Sequence, residues 1–156
     1  MKKNAPEPVH VWLVMLKAMQ TVGSFAAARI AESGIGDSDF RVLEVLLHKG
    51  PLPVNTIGPK VNLTPGSISV AVDRLHCKGL VSRVESADDR RVRIVALTQK
   101  GKELIVPLFQ RHAALMEELF SKLGPDELRN FEAALKKIGR WAESLEKSKA
   151  GACETL

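Results

Sequence analysis

The sequence predicts a mainly α-helical protein that carries one small β-hairpin. Over most of its 156 residues, apolar side chains recur at the three- and four-residue spacing of amphipathic helices. Two β-rich runs, Leu80–Val84 and Val92–Leu97, flank the polar loop Glu85–Arg91 and predict the hairpin. The segment Lys60–Lys102 has nine Lys/Arg and four Asp/Glu, so the whole net charge of +5 lies in and around this hairpin.

The N-terminal third predicts two helices separated by glycines. Apolar residues at helical spacing predict the first helix over residues 9–32. Asp37 or Ser38 can cap the second helix, whose apolar side contains Phe40 and whose end is set by Gly50-Pro51.

A short third helix and a well-capped fourth helix follow. The third covers Val54–Val61, and we expect a bent or truncated turn because Pro59 removes a helical hydrogen bond. The fourth begins at Thr64, whose hydroxyl can accept from a first-turn N–H, and Pro65 suits the first helical position. Gly79 ends it. Three of its apolar residues face the core: Ile68, Val72 and Leu75.

Two long helices close the chain. Thr98 caps the first, which runs to about Leu123 and should be kinked by Pro107. After Gly124-Pro125, the last helix has apolar residues at heptad-like spacing: Leu128, Phe131, Leu135, Ile138, Ala142 and Leu145. Such a seam requires a partner helix. From Lys147 onward, polar and small residues indicate a frayed tail.

These elements predict a winged helix-turn-helix flanked by N- and C-terminal dimerisation helices. Residues 36–101 form the winged helix-turn-helix domain, residues 1–35 and 102–147 form the helical dimerisation region, and residues 148–156 form a flexible tail. The terminal helices carry apolar stripes that a small winged core cannot cover, so we expect them to cover each other in a homodimer.

The fourth helix and the hairpin together favour a DNA-binding function. Small residues at Gly66, Ser67 and Ser69, flanked by basic groups, let a helix enter a major groove. The alternative is a capped surface helix of a bundle. In the hairpin loop, Arg90 or Arg91 can enter a minor groove.

The acids near these arginines are interpreted as anchors. Asp89 in the loop and Asp73 on the fourth helix can each hold a guanidinium in a fixed geometry. We therefore expect one of Arg90 and Arg91 to be structural and the other to contact DNA. The alternative is a solvated turn with a local ion pair.

The sequence gives little support for an enzyme or a cofactor. Two cysteines, Cys77 and Cys153, form neither a disulfide framework nor a metal set. No phosphate-binding or nucleophile motif is present, and the four histidines lack metal-ligand spacing. We identify no signal peptide and no apolar run near the ~20 residues needed to cross a bilayer, which favours a cytoplasmic protein without a membrane partner.

Three motifs resemble the MarR family of bacterial transcription regulators over about residues 9–146. They are Leu63-Thr64-Pro65-Gly66-Ser67-Ile68-Ser69, then Val72-Asp73-Arg74-Leu75 with Lys78-Gly79-Leu80-Val81, then Asp89-Arg90-Arg91 with Leu97-Thr98 and Gly101. The resemblance implies a homodimer that binds a pseudo-palindromic double-stranded operator, commonly as a repressor relieved by a small molecule. It assigns DNA contact to Arg90 or Arg91 and to these recognition-helix residues: Thr64, Pro65, Gly66, Ser67, Ser69 and Arg74.

An effector pocket is the least defined expectation. A pocket between the dimer helices and the winged lobe would be lined by residues that could equally be plain core: Trp12, Met15, Met19, Arg29 and His112. Two alternatives remain open. One is a redox-sensing regulator that uses the Cys77 thiol, and the other is a protein-interaction module whose basic hairpin binds an acidic partner. The first helix contains no cysteine, which argues against oxidant sensing there.

Overall fold

A computed structural model describes residues 6–85 and 92–153. Within these residues the chain is mostly helical and has one small antiparallel sheet, which confirms the predicted fold class. The elements in chain order are α1 (Pro8–Ala31), α2 (Asp37–Lys49), β1 (Leu52–Pro53), α3 (Val54–Val61), α4 (Pro65–Cys77), β2 (Val81–Glu85), β3 (Arg93–Leu97), α5 (Gln99–Phe120) and α6 (Pro125–Cys153).

The sheet has three strands in the order β1-β3-β2, one more than the predicted hairpin. The extra strand, β1, places Leu52 opposite Val95, while β2 places Arg83 opposite the same residue. A two-residue strand is too short to show the alternation by which strands are predicted from sequence. It also contains Pro53, which cannot donate to a ladder and is tolerated at a sheet edge.

Two of the predicted helix caps are confirmed and one is wrong. The Thr64 hydroxyl accepts from the Ser67 amide at 3.2 Å, and the Thr98 hydroxyl accepts from the Gly101 amide at 3.0 Å. The N-cap of α2 is Gly36, not Asp37 or Ser38, and no side chain caps this helix. Both side chains have partners elsewhere, since Asp37 pairs with Arg41 and the Ser38 hydroxyl accepts from Arg74.

Helix α3 keeps its full predicted extent through Pro59, so the expected truncation is wrong. The missing N–H affects one hydrogen bond, to the carbonyl of Asn55, which lies on an exposed residue that water can reach. Ile57 and Gly58 are buried and hold the helix against the core. The helix ends at Asn62, which adopts the left-handed conformation with φ 54°.

The chain divides into two compact units, Met1–Leu115 and Met116–Leu156. The first unit contains the core, to which α1, α2, α3, α4, the sheet and α5 all contribute. The most deeply buried residues of this core include Phe40, Val42, Leu43, Ile57, Ala71, Val72, Leu75, Val95 and Ile105. In the second unit, the described side chains of α6 are all exposed.

Helix α1 is long and apolar enough, by length and composition, to cross a membrane, so the expectation that no such segment exists is wrong. This is weak evidence for a membrane span, because core helices of soluble proteins and signal sequences pass the same test. Only Ile30 of this helix is buried in the described chain. Large apolar side chains of α1 are exposed at Val9, Val11, Trp12, Leu13, Val14, Leu16, Met19 and Phe25.

Helix α6 continues to Cys153, beyond the end predicted near Lys147, whereas α5 ends at Phe120, before the predicted Leu123. The longer α6 differs from the frayed tail that the sequence predicted. Residues 147–152 include four residues of high helix propensity, Lys147, Lys149, Ala150 and Ala152, which favour continuation of the helix.

Candidate nucleic-acid interface

The first two turns of α4 present a patch of small, exposed side chains. Thr64, Pro65, Gly66, Ser67 and Ser69 all lie on it, and we call these five residues the recognition face. The Thr64 hydroxyl donates to the Ser67 hydroxyl at 2.9 Å, and the Ser69 hydroxyl donates to the Pro65 carbonyl at 3.1 Å. These hydrogen bonds order the helix start. The face therefore combines small volume, hydrogen-bonding groups and a fixed backbone.

Val70 lies beside the recognition face with 57% of its surface exposed. An exposed β-branched apolar residue on a serine-rich helix has no packing role in the described chain. The DNA contacts expected from the sequence did not include Val70. Its place in the sequence next to Ser69 was the signal that could have made it a candidate.

Arg74 is bound to a buried carboxylate on α2. Its Nε donates to both oxygens of Asp39 at 2.9 Å, and its Nη2 donates to Asp39 Oδ1 at 2.5 Å and to the Ser38 hydroxyl at 3.1 Å. Asp39 is 1% exposed, and Lys78 Nζ lies 3.7 Å from its Oδ2. The side-chain hydrogen bonds to Asp39 raise the pKa of Arg74, so this guanidinium stays charged.

Asp73, the predicted arginine anchor on α4, pairs with Arg83 of β2. Arg83 Nη2 lies 2.5 Å from Asp73 Oδ1. The pair connects the recognition helix to the hairpin. The Arg83 Nε is buried and has no hydrogen-bond partner among the described residues, so the pair satisfies only part of this guanidinium.

The hairpin loop that carries Asp89, Arg90 and Arg91 lies outside the described residues, as does Ser86-Ala87. The strands that lead to it are described. They pair from Val81 opposite Leu97 to Glu85 opposite Arg93.

The base of the hairpin packs closely on the start of α5. The Thr98 hydroxyl donates to the Gly79 carbonyl at 2.8 Å, and the Thr98 amide donates to the Leu80 carbonyl at 3.1 Å. Lys100 Nζ donates to the Lys78 carbonyl at 3.0 Å. These contacts join the end of the recognition helix to the hairpin base and to α5.

Two of the five residues expected at an effector pocket line a cleft in the first unit. The cleft has a volume of about 380 Å³. Its lining comprises Arg29, Ile30, Glu32, Ser33, Leu108, Arg111, His112 and Leu115. Trp12 and Met19 are exposed and Met15 is half-buried, and none of the three lines this cleft. The His112 ring packs against Phe40 with centroids 5.0 Å apart.

Cys77 is the last residue of α4 and is exposed. Across residues 6–85 and 92–153, no three His, Cys, Asp or Glu side chains come together in a way that could hold a metal ion.

A capped helix with small exposed residues, an antiparallel hairpin beside it and a supporting α2–α3 pair define a winged helix-turn-helix protein. The positive charge of the segment Lys60–Lys102 fits this class, because the DNA backbone is a polyanion.

Comparison with known proteins identifies the family. Residues 35–92 match the MarR family. The chain is 36% identical over 131 residues to the HTH-type transcriptional regulator MhqR of Bacillus subtilis. The aligned region covers 84% of this chain and 90% of that protein. The chain therefore belongs to the MarR family and is a DNA-binding transcription regulator, not an enzyme.

Solved structures agree with this assignment. The transcriptional regulator BldR from Sulfolobus solfataricus has a TM-score of 0.75 and 25% identity, covering 90% of this chain and 99% of that one. The structure of BpsR from Bordetella bronchiseptica has a TM-score of 0.71 and 20% identity, covering 83% of this chain and 98% of that one. The DNA binding of BpsR is regulated by 6-hydroxynicotinic acid.

Proposed function

We propose that this protein is a cytoplasmic homodimer that reads a pseudo-palindromic double-stranded operator and acts as a repressor. The observation that carries the proposal is the exposed recognition face, which Thr64 caps and small residues keep accessible. In a dimer, two such helices would meet half-sites about 10 bp apart, one helical turn of DNA. The bound dimer would block a promoter sterically.

The dimer proposal is supported by exposed apolar surface. On α6, large apolar side chains are exposed at Leu128, Phe131, Leu135, Ile138 and Leu145, and α1 exposes a second apolar set. Monomeric soluble proteins rarely leave contiguous patches of this kind uncovered. We assign residues 36–101 to DNA binding and residues 1–35 and 102–147 to dimerisation.

A small-molecule effector would act through the cleft at Arg29 and His112. The cleft combines basic side chains with the apolar walls of Ile30 and Leu108, which suits a small ligand with an apolar body and a polar or anionic group. Regulation of BpsR by 6-hydroxynicotinic acid supports ligand control in a protein of the same fold. Such a ligand must bind the DNA-free and DNA-bound states with different affinities, because a ligand that binds both equally does not shift the equilibrium between them.

Selection of bound sequences from a random duplex library tests the proposal. We expect an enriched, two-fold symmetric sequence with half-sites about 10 bp apart. Titration of that operator over a salt series should give affinity that falls as salt rises. A library that shows no enrichment would contradict sequence-specific reading. Absence of any salt-dependent duplex binding would favour the alternative, a protein-interaction module whose basic hairpin binds an acidic partner.

The hairpin arginines give a first prediction. Arg90→Ala or Arg91→Ala should weaken operator binding, and loss of one phosphate contact should reduce the salt slope by about one unit. The measurement is the operator affinity of each variant over a salt series. Unchanged affinity for both variants would show that the hairpin loop does not contact DNA.

Val70 gives a second prediction. We expect its side chain to contact a thymine 5-methyl group in the major groove, which is an apolar contact that only this base offers there. Operators in which deoxyuridine replaces thymidine should bind wild-type protein more weakly by about fourfold, since burying one methyl-sized apolar group is worth about 0.8 kcal/mol.

The control is the Val70→Ser variant on the same two operators. This variant should bind the thymidine operator about as weakly as wild type binds the deoxyuridine one, and should not distinguish the two. If Val70→Ser still loses affinity on the change to deoxyuridine, another residue reads the methyl group.

A redox-sensing regulator is the second candidate function, because the Cys77 thiol is exposed at the end of the recognition helix. Mild peroxide would then weaken operator binding, and Cys77→Ser would abolish that response. A response to peroxide that survives Cys77→Ser would exclude this thiol as the sensor.

A further inference from the structure

Asp39 is the one charged side chain that is buried among the residues whose burial the structure describes. A buried carboxylate is costly unless opposite charge and hydrogen bonds compensate it. Asp39 lies in the first turn of α2, where the helix dipole favours a negative charge, and it accepts three hydrogen bonds from one guanidinium. The helix dipole and these hydrogen bonds therefore offset the cost of burying this carboxylate.

Both basic partners of Asp39 come from the recognition helix α4 or its C-cap: Arg74 lies in its last turn and Lys78 is the C-cap. Arg74 and Lys78 are four residues apart, one turn of α4, and both approach the same carboxylate. Thr64 fixes the other end of α4 through its cap. The recognition helix is thus held at its start by a local cap and near its end by a charged link to α2.

The geometry of Arg74 sets what this side chain can do. Its Nε and Nη2 are both directed at Asp39 and Ser38, although 41% of the side chain remains exposed. A guanidinium held by two of its nitrogens has little freedom to follow a phosphate or a base edge. This arrangement differs from the sequence-based expectation, in which Arg74 is a direct DNA contact.

We propose that Asp39 is a positioning residue, and that the Asp39–Arg74 pair sets the angle at which α4 lies in the major groove. The pair then controls sequence discrimination more than total affinity. If the pair is broken, Arg74 becomes a mobile cation that can reach any phosphate, so binding to random DNA persists while operator preference falls. This inference rests on the proposed reading of an operator by α4.

Three variants test the inference in the full-length protein: Asp39→Asn, Arg74→Gln and the double variant. For each, affinity is measured for the selected operator and for random duplex over a salt series, and folding is followed by thermal unfolding. We expect Asp39→Asn to lower the operator-to-random affinity ratio about tenfold, within the coupling expected for residues in contact. Its salt slope on random duplex should be no lower than that of wild type, because the freed Arg74 can add a phosphate contact.

The double variant keeps the test valid if a single variant fails to fold. It removes both charges together, so that no buried charge is left without a partner. Its operator-to-random ratio should equal that of Arg74→Gln, because the two single changes remove the same interaction. Asp37→Asn is the matched control, because Asp37 pairs with Arg41 within α2, and it should leave the ratio unchanged.

Two outcomes would overturn the inference. A folded Asp39→Asn variant, or double variant, with the wild-type ratio would show that the pair does not position α4. In the second outcome, the double variant loses as much operator preference as the two single variants together, and Arg74→Gln has a salt slope lower by about one unit. That result would assign Arg74 to a phosphate contact. If wild-type protein itself shows no operator preference, it is the proposed function that fails.

Discussion

Replacing Leu135 and Ile138 with glutamate will convert the protein to a monomer and remove most of its operator affinity. These side chains are 41% and 53% exposed on the apolar stripe of α6 that we assign to the dimer interface. A carboxylate at the centre of an apolar interface would be buried without a partner, which costs far more than the contact it replaces. The monomer should remain folded, because neither residue belongs to the core of the first unit.

The loss of operator affinity follows from the way two half-sites are read. In a dimer, binding of the first half-site makes the second event intramolecular, and such linkage raises overall affinity by about 10²–10⁴. We therefore expect a loss of that order on the two-half-site operator and little change on a single half-site. Sedimentation equilibrium gives the oligomeric state, and titration of the two DNAs gives the affinities.

The matched control adds the same two carboxylates on the other side of the same helix. Ala133 and Ser144 are exposed, and at 3.6 residues per turn they lie opposite the Leu135–Ile138 stripe. The variant Ala133→Glu/Ser144→Glu should remain a dimer and bind the operator as wild type does. A glutamate variant at 135 and 138 that stays dimeric would place the interface elsewhere.

Local sequence signals were sufficient to predict the existence of the helices and two of the three caps. Thr64 and Thr98 were recognised because a cap depends on residues within one turn, and α3 was bounded correctly for the same reason. The members of the recognition face lie on one short capped segment and are all exposed, and their contact with DNA stays a prediction. Strand β1 was missed because its existence depends on pairing with Val95, a residue far along the chain.

The pairing of Arg74 with Asp39 could not be predicted from the neighbours of Arg74 in sequence. Its partner Asp39 is 35 residues away, and the contact exists only because α2 and α4 pack together. A weak signal was available, because Asp39 occupies the same helical face as the buried residues Leu43 and Leu46. An acidic residue on the apolar face of a predicted helix indicates a buried charge that requires a basic partner.

Gly101→Ala will destabilise the protein more than a change of one methyl group usually does. A Cβ at this position would lie 2.0 Å from the Leu80 carbonyl oxygen, a distance that real Cβ atoms do not show. The obstacle is backbone, so the hairpin base must move away from α5. Overpacking of this kind costs about 1–3 kcal/mol. The same carbonyl accepts from the Thr98 amide, and losing that hydrogen bond costs about 1 kcal/mol more.

We expect a loss of about 3 kcal/mol in the free energy of unfolding from these two terms, measured by urea unfolding at a fixed protein concentration. Gly66→Ala is the control, since Gly66 also lies in the first turn of a helix but has nothing within 4 Å of an added Cβ. That variant should be as stable as wild type or slightly more stable, because alanine favours helix by up to about 1 kcal/mol. Equal stabilities of the two alanine variants would mean that the hairpin base and α5 are not locked together.

Because the Leu80 carbonyl joins the end of the recognition helix to the hairpin, Gly101→Ala should also weaken operator binding under conditions where it remains folded.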